Sequence, residues 1–276
     1  MDRISESNTG VEFSRDDIST NSSQVRLEIS RVHRTRLHSS PKRIELPFTV
    51  KIVRTQEQLS QAVNIRAEAY RKHVPTLAES MHSPEDLDRS SDTIVFLAEG
   101  KSDRSPLGTI RIQTNFRNPL SLESSVTLPK KYHGRPAAGV SRLAVKAGPR
   151  GRLVKLALFK ALHRYCLAKQ VEWILIGARP PLDKAYLDLG FIDVFDDQLS
   201  RPLASASGMP HRILCFEVFT AERRWYDLSH PLYLFMGERF HPDIEIFSSV
   251  SNMWATPRKR SHISEVPDFS VQLPIV

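Results

Sequence analysis

Three consecutive segments between residues 139 and 178 constrain the fold more than any other feature of the chain. GVSRLAV alternates as a strand. GPRGRLVKLALFKALHRYCLAKQ carries Leu153, Leu156, Ala157, Leu158, Ala161, Leu162 and Tyr165 on one broad helical face. EWILIGA then reads as a buried strand. A strand, a long helix and a second buried strand form a crossover that sets the two strands parallel, with the helix across one face of the sheet. Gly148 and Pro149 supply the opening turn of the helix.

The flanking segments fill in a sheet around this unit. FTVKIV alternates as a strand and leads into EQLSQAVNIRAEAYRKHV, whose Leu59, Ala62, Val63, Ile65, Ala69 and Tyr70 recur near helical spacing. VPTLAESMHSPEDLDRSSD has no sustained period and reads as a helical turn and a long loop. TIVFLAE and LGTIRIQTN, separated by a short polar turn, form a hairpin. After the crossover, PPLDKAYLDLGF gives a short helix ending at Gly190 and HRILCFEVFT a further strand. The expected fold class is mixed α/β (α+β), with a mostly antiparallel sheet, helices on both faces and one parallel crossover. Residues 1–44 read as a weakly ordered leader, 45–248 as one domain with a C-terminal extension, and 249–276 as a polar tail.

These elements and their residues resemble the GNAT acyltransferase superfamily in order. AYLDLGF is similar to its Tyr-x-x-x-Gly-Phe segment and sets Tyr186 four residues before Gly190; read alone, it is a core tyrosine ahead of a helix-capping glycine. A closer resemblance is to the branch of acyl-homoserine-lactone synthases and long-chain N-acyl amino acid synthases. It is carried by Arg66 and Tyr70 in IRAEAY, by Glu85, Asp86, Asp88 and Asp92 in the next loop, by Arg111 in GTIRI and by Ser141-Arg142 in VSRLAV. The final HPLYLFMGERFHPDIEIF adds to it. The resemblance implies an N-acyltransferase that moves a long fatty acyl chain from an acyl carrier protein to the amino group of an amino acid or similar amine. It places Ser141, Arg142 and Tyr186 in catalysis, and Arg66, Arg111 and Asp92 about the acceptor. Val145, Arg150, Gly151, Arg152 and Lys155 fall to the donor's phosphopantetheine.

Two departures shape the chemistry. Where coenzyme A-binding relatives show Arg-x-x-Gly-x-Gly/Ala at the start of the long helix, this chain has Arg150-Gly151-Arg152-Leu153-Val154-Lys155. Loss of both later small residues removes the close backbone approach that holds a pyrophosphate. That favours a carrier-protein donor over free coenzyme A, with no tightly bound cofactor. The second departure is Gly139, where the synthase branch has a Glu. No general base is then assigned. Glu99, at the end of TIVFLAE, acts through water or is a solvated strand-end acid. An acetyl-CoA-dependent acetyltransferase and a catalytically silent binding module of the same fold remain as alternatives.

Arg66, Arg111 and Arg142 each sit beside an apolar run, where an unpaired guanidinium is expensive. They read as an internal ion-pair network with Asp86, Asp88 or Asp92, or as one arginine left to hold an acceptor carboxylate. No histidine spacing suits a metal, and Cys166 and Cys215 lie in apolar runs as reduced core thiols. No segment is apolar and long enough to span a bilayer, and MDRISESNTG is not a secretory leader; the expected compartment is the cytoplasm, with peripheral membrane contact left open. The formal charge is +8, yet no acidic residue falls between Glu123 and Glu172, a stretch holding 11 Lys and Arg. That stretch lacks a nucleic-acid recognition motif and reads as a docking patch for an acidic carrier protein.

Overall fold

The computed structural model describes residues 42–71, 75–79 and 81–247; the expected tail and residues 1–41 of the expected leader lie outside them, while Arg43 forms a parallel bridge with Phe240. The sheet has nine strands in the order β6-β8-β5-β4-β3-β2-β1-β9, with β7 paired to β8. They are β1 (Phe48–Ile52), β2 (Thr93–Gly100), β3 (Pro106–Thr114), β4 (Ala137–Val145), β5 (Trp173–Ala178), β6 (Ile192–Asp193), β7 (Arg201–Leu203), β8 (Met209–Glu217) and β9 (Ile244–Glu245). Of the helices, α1 spans Gln56–Arg71, α2 Pro75–Glu79, α3 Gly151–Ala168, α4 Leu182–Asp188 and α5 Ala221–Asp227.

Strand alternation divides the core in two. Val95 and Leu97 of β2 face α1, where Leu59, Ala62 and Ile65 cover them. Phe96 and Ala98 face the other way and join Ile110, Ile112 and the α3 residues Ala157, Leu158, Ala161 and Leu162. Each large aliphatic or aromatic side chain buried this way contributes about 1.5–3 kcal/mol. The helices therefore flank both faces, as expected. The β2–β3 turn closes when Asp103 Oδ1 accepts the Ser105 N–H at 3.0 Å.

The expected crossover is present: β4 and β5 run parallel with α3 between them in the chain. A second parallel pair was not expected. Ile244 and Glu245 lie beside Val50 and Lys51, which brings the C-terminal segment onto the outer edge of β1. Lys160 of α3 holds that segment from the other side, donating from Nζ to the carbonyl oxygens of Phe235 and Arg239 at 2.6 Å each and to His241 Nδ1 at 3.1 Å. The Phe235 carbonyl belongs to a π-helical turn over Leu234–Glu238. Cys166 and Cys215 are buried free thiols. Among the described residues no helix is long and apolar enough to cross a membrane.

Candidate active site

The sheet opens between its two parallel strands. β4 pairs with β5 from Ala137↔Trp173 to Val140↔Ile176 and no further, so the edge of β4 from Ser141 onward has no strand beside it. At the same point β4 bulges against β3. Arg111 faces Ser141 and Thr109 faces Ala144, which sets Arg142 and Leu143 against Ile110 alone. Arg142 takes φ +56°, a left-handed conformation that L side chains rarely adopt. The bulge turns two successive side chains toward the α1 face: Ser141 Oγ accepts from Arg111 Nε at 3.0 Å, and Arg142 Nε donates to Glu85 Oε2 at 2.8 Å.

These contacts belong to a buried charge network. Arg66 Nη1 donates to both carboxylate oxygens of Asp88 at 2.8 Å, with side-chain exposures of 2% and 0%. Asp88 also receives the Glu85 backbone N–H at 3.0 Å and Arg111 Nη1 at 3.4 Å. Glu85 bridges Arg111, at 2.6 Å, and Arg142, whose Nη2 reaches Oε1 at 2.5 Å and the Ser205 carbonyl at 3.0 Å. Partial burial alone would push the Glu85 carboxyl up, but Arg142 and Arg111 overrule it and hold the group at about 2. Burial likewise works against the Arg142 cation, and Glu85 more than offsets it. A carboxylate pinned under two guanidinium groups is a positioning anion and a poor proton acceptor.

The arginines singled out in the sequence thus come together, and all three have carboxylate partners. Their partners are Asp88 and Glu85. Asp86 is exposed, and Asp92 instead accepts Asn118 Nδ2 at 2.6 Å. Asp92 is therefore not brought into the arginine network. Glu99 is not brought in either. It lies four residues along β2 from Val95, the partner of Arg111, a separation of about 13 Å at the strand rise. Gly139 leaves its position bare, and a Cβ there would meet only the Leu120 side chain, at 3.5 Å.

Tyr186 enters from the α3 side. Gly190, at φ +95°, lets the chain turn sharply after α4, and Phe191 folds back against the Tyr186 ring with centroids 5.5 Å apart. Burial pushes the Tyr186 hydroxyl well up, and nearby Tyr70 adds to this, so it is protonated at neutral pH. Tyr70, near the end of α1, packs with Ala67, Met81 and Met209 on the face that carries the arginine network.

Val145 ends β4 at this opening, and α3 begins six residues later at Gly151. A Cβ on Gly151 would lie 3.3 Å from the Lys146 carbonyl, so the close turn favours glycine. Lys146, Arg150, Arg152 and Lys155 are all exposed here. The rest of the basic stretch does not join them. Lys160 is buried, Arg164 lies over the Phe240 ring, Arg135 pairs with Glu172, and Arg142 with Glu85. Lys169 follows the far end of α3, about 27 Å away at the helical rise. Lys130 and Lys131 are exposed in a separate 3-10 turn, Lys131 over the Tyr132 ring, so of the basic stretch read from the sequence four exposed cations stand at the start of α3.

One charged residue at the opening was not singled out in the sequence. Arg179 follows the last residue of β5, and its signal was a cation directly after the buried run EWILIGA. Among the described residues no group of three or more His, Cys, Asp or Glu is placed to hold a metal.

Residues 61–209 match the family described as N-acyl amino acid synthase FeeM, which is more than half of the chain. Among solved structures, FeeM itself, an N-acyl amino acid synthase from uncultured soil microbes, aligns at 16% identity with a TM-score of 0.52. The alignment covers 68% of this chain and 97% of that one. The CoA-dependent acyl-homoserine lactone synthase BjaI aligns at 13% identity and a TM-score of 0.47, over 70% of this chain and 93% of that one. The acyl-homoserine lactone synthase LasI aligns at 17% and 0.45, over 63% and 93%. No curated protein sequence matches. With the opened β4–β5 pair and the Tyr186–Gly190–Phe191 turn on a sheet of this order, the chain belongs to the N-acyl amino acid synthase FeeM family and is an N-acyltransferase of the GNAT fold.

Proposed function

We propose that the protein transfers a long-chain acyl group from the phosphopantetheine thioester of an acyl carrier protein to the α-amino group of an amino acid. The observation that carries the donor assignment is the set of exposed cations Lys146, Arg150, Arg152 and Lys155 beside the unpaired edge of β4. The phosphodiester that joins the phosphopantetheine arm to its carrier meets the opening of α3 there, and an acidic carrier is steered to it. Leu153 and Lys155 stand where a pyrophosphate-binding loop needs small residues.

The neutral amine attacks the thioester carbonyl, a C–N bond forms, and the C–S bond breaks. N–H groups on the open edge of β4 stabilise the oxyanion of the tetrahedral intermediate. The amine loses its proton to water, Tyr186 gives its proton to the departing sulfur, and the buried tyrosinate, which burial disfavours, takes a proton back through water, so that amide and thiol are the products. An α-amino group of pKa about 8 is roughly one-tenth neutral at pH 7, so the chemistry tolerates a site in which the carboxylate of Glu85 is bound to two arginines. Because a thiolate is already a fair leaving group, Tyr186→Phe should lower kcat by about tenfold without abolishing turnover, measured as amine-dependent thiol release. Full activity in that variant would remove Tyr186 from the mechanism.

The donor is tested by incubating the purified chain with long-chain acyl carrier protein, long-chain acyl-CoA or acetyl-CoA plus mixed amino acids, following thiol and acylated products by mass spectrometry. The carrier thioester should be the best donor, and its kcat/KM should fall roughly tenfold between low salt and about 0.5 M. Arg150→Glu with Arg152→Glu should raise KM for the carrier and leave KM for the amine alone. Equal use of acyl-CoA with no salt effect would return the donor to coenzyme A. The same reading places the protein in the cytoplasm with its carrier.

A further inference from the structure

Among the described residues, Arg179 has no carboxylate partner on this face of the sheet. The last β5–β8 pair is Ala178↔Arg212, and Ala178 joins the core beneath α3. Alternation therefore turns Gly177 and Arg179 to the opposite face, the one that carries Arg111 and Ser141. β4 and β5 part after Val140 and Ile176, so each arm of the opening bears an arginine beyond the last pair: Arg142 on β4 and Arg179 directly after β5.

The two arginines differ in their partners. Arg142 spends Nε and Nη2 on Glu85 and the Ser205 carbonyl. Arg179 is half-buried, and its guanidinium donates from Nη1 to Met209 Sδ at 3.2 Å, a thioether and hence a weak acceptor. Among the described residues no carboxylate lies within 4.0 Å of it. Met209 packs with Ala67, Met81 and Tyr70, which places the Arg179 guanidinium beside the end of α1 and the Tyr70 side of the opening. His211, next to Arg179 across the strand pair, is under the influence of both Arg179 and Arg142.

Local charge points the same way. Arg66, Arg111 and Arg142 face two carboxylates, Glu85 and Asp88, and Arg179 adds a further cation that no carboxylate of the described residues balances. A half-buried guanidinium in that setting favours an anionic ligand that offers two parallel acceptors. Resting on the amino-acid acceptor proposed above, we infer that Arg179 binds the α-carboxylate of the acceptor. It thereby selects free amino acids over amines that lack a carboxylate and holds the amino group toward the thioester at the β4 edge.

The test compares kcat/KM for a free amino acid with that for its primary amide, in wild type and in Arg179→Gln and Arg179→Lys, with the same acyl carrier donor. Wild type should prefer the free acid, and Arg179→Gln should reduce the acid-to-amide ratio by about ten- to a hundredfold. Arg179→Lys, which keeps the charge and loses the planar fork, should fall between. Thermal midpoints within about 2 °C of wild type exclude a folding effect, as a half-exposed side chain with one weak bond predicts. If wild type prefers the acid and Arg179→Gln preserves that preference, the assignment of Arg179 is wrong while the amino-acid acceptor stands. If wild type makes no distinction between acid and amide, or acylates neither, the acceptor reading falls and the assignment with it.

Discussion

Asp88→Asn should lower the unfolding free energy by about 3–5 kcal/mol. The side chain of Asp88 is fully buried and meets Arg66 through both oxygens and Arg111 through one. Asparagine preserves the shape and one acceptor but removes the charge. Three buried guanidinium groups then face the single carboxylate of Glu85. Arg66 is the most exposed to this loss, because among the described residues its Nε and Nη2 have no hydrogen-bond partner. For a domain of about 200 residues the change corresponds to a fall of roughly 10 °C in Tm, read by calorimetry or by dichroism on heating. Asp88→Leu combined with Arg66→Met should cost less than Asp88→Asn, because it removes the charge together with its partner. Glu85→Gln should also cost less, since its side chain is 32% exposed and water screens the arginines it leaves behind. A Tm within about 2 °C of wild type for Asp88→Asn would mean that the network does not hold the fold. The consequence reaches the site, because Asp88 accepts the Glu85 backbone N–H and Glu85 in turn holds Arg142 in its left-handed bulge.

What the sequence revealed was what periodicity encodes. The strands TIVFLAE, GTIRI and EWILIGA and the helix after Gly148 alternate or repeat strongly enough to be read singly, and their order gives the sheet. The arginines and acids of the network were also visible, because charged residues beside apolar runs need partners. Which acid meets which arginine was not visible. Arg142 and Glu85 are 57 residues apart, and their pairing depends on a bulge that no glycine or proline announces. β9 escaped for a related reason: two residues alongside β1 cannot display an alternation. The basic stretch misled because consecutive cations in a chain are not neighbours on a helix. At 3.6 residues per turn, α3 sends Lys160 inward to the Phe235 and Arg239 carbonyls and leaves Arg152 and Lys155 in solvent.

Stability should also fall steeply in acid, through His241. Its ring is 1% exposed, and Nδ1 accepts a hydrogen bond from Lys160 Nζ, so the neutral tautomer carries its proton on Nε2. Burial, then the positive charges of Lys160, Arg239 and Arg164, push its pKa from 6.5 down to about 3. The unfolded chain gains a proton here as pH falls through 6.5, whereas the folded chain refuses it until about 3. The contribution is therefore complete above 6.5 and disappears progressively as pH falls from 6.5 to 3, amounting to about 4–5 kcal/mol over the whole interval. Glu85, held at about 2 instead of 4.5, adds to the loss at the acid end of the same range. Lys160 extends the trend upward: burial and the neighbouring Arg164 and Arg239 push its amine from 10.5 to about 7, a shift opposed by three acceptors that favour the ammonium. Any residual shift makes stability rise with pH between those values. His241→Gln separates these effects, since the amide oxygen can still accept from Lys160 but does not titrate. Urea unfolding at pH 7.5, 6, 5 and 4 should show wild type losing stability much faster than His241→Gln. Parallel curves for the two proteins would show that His241 takes its proton in the folded state as readily as in the unfolded one.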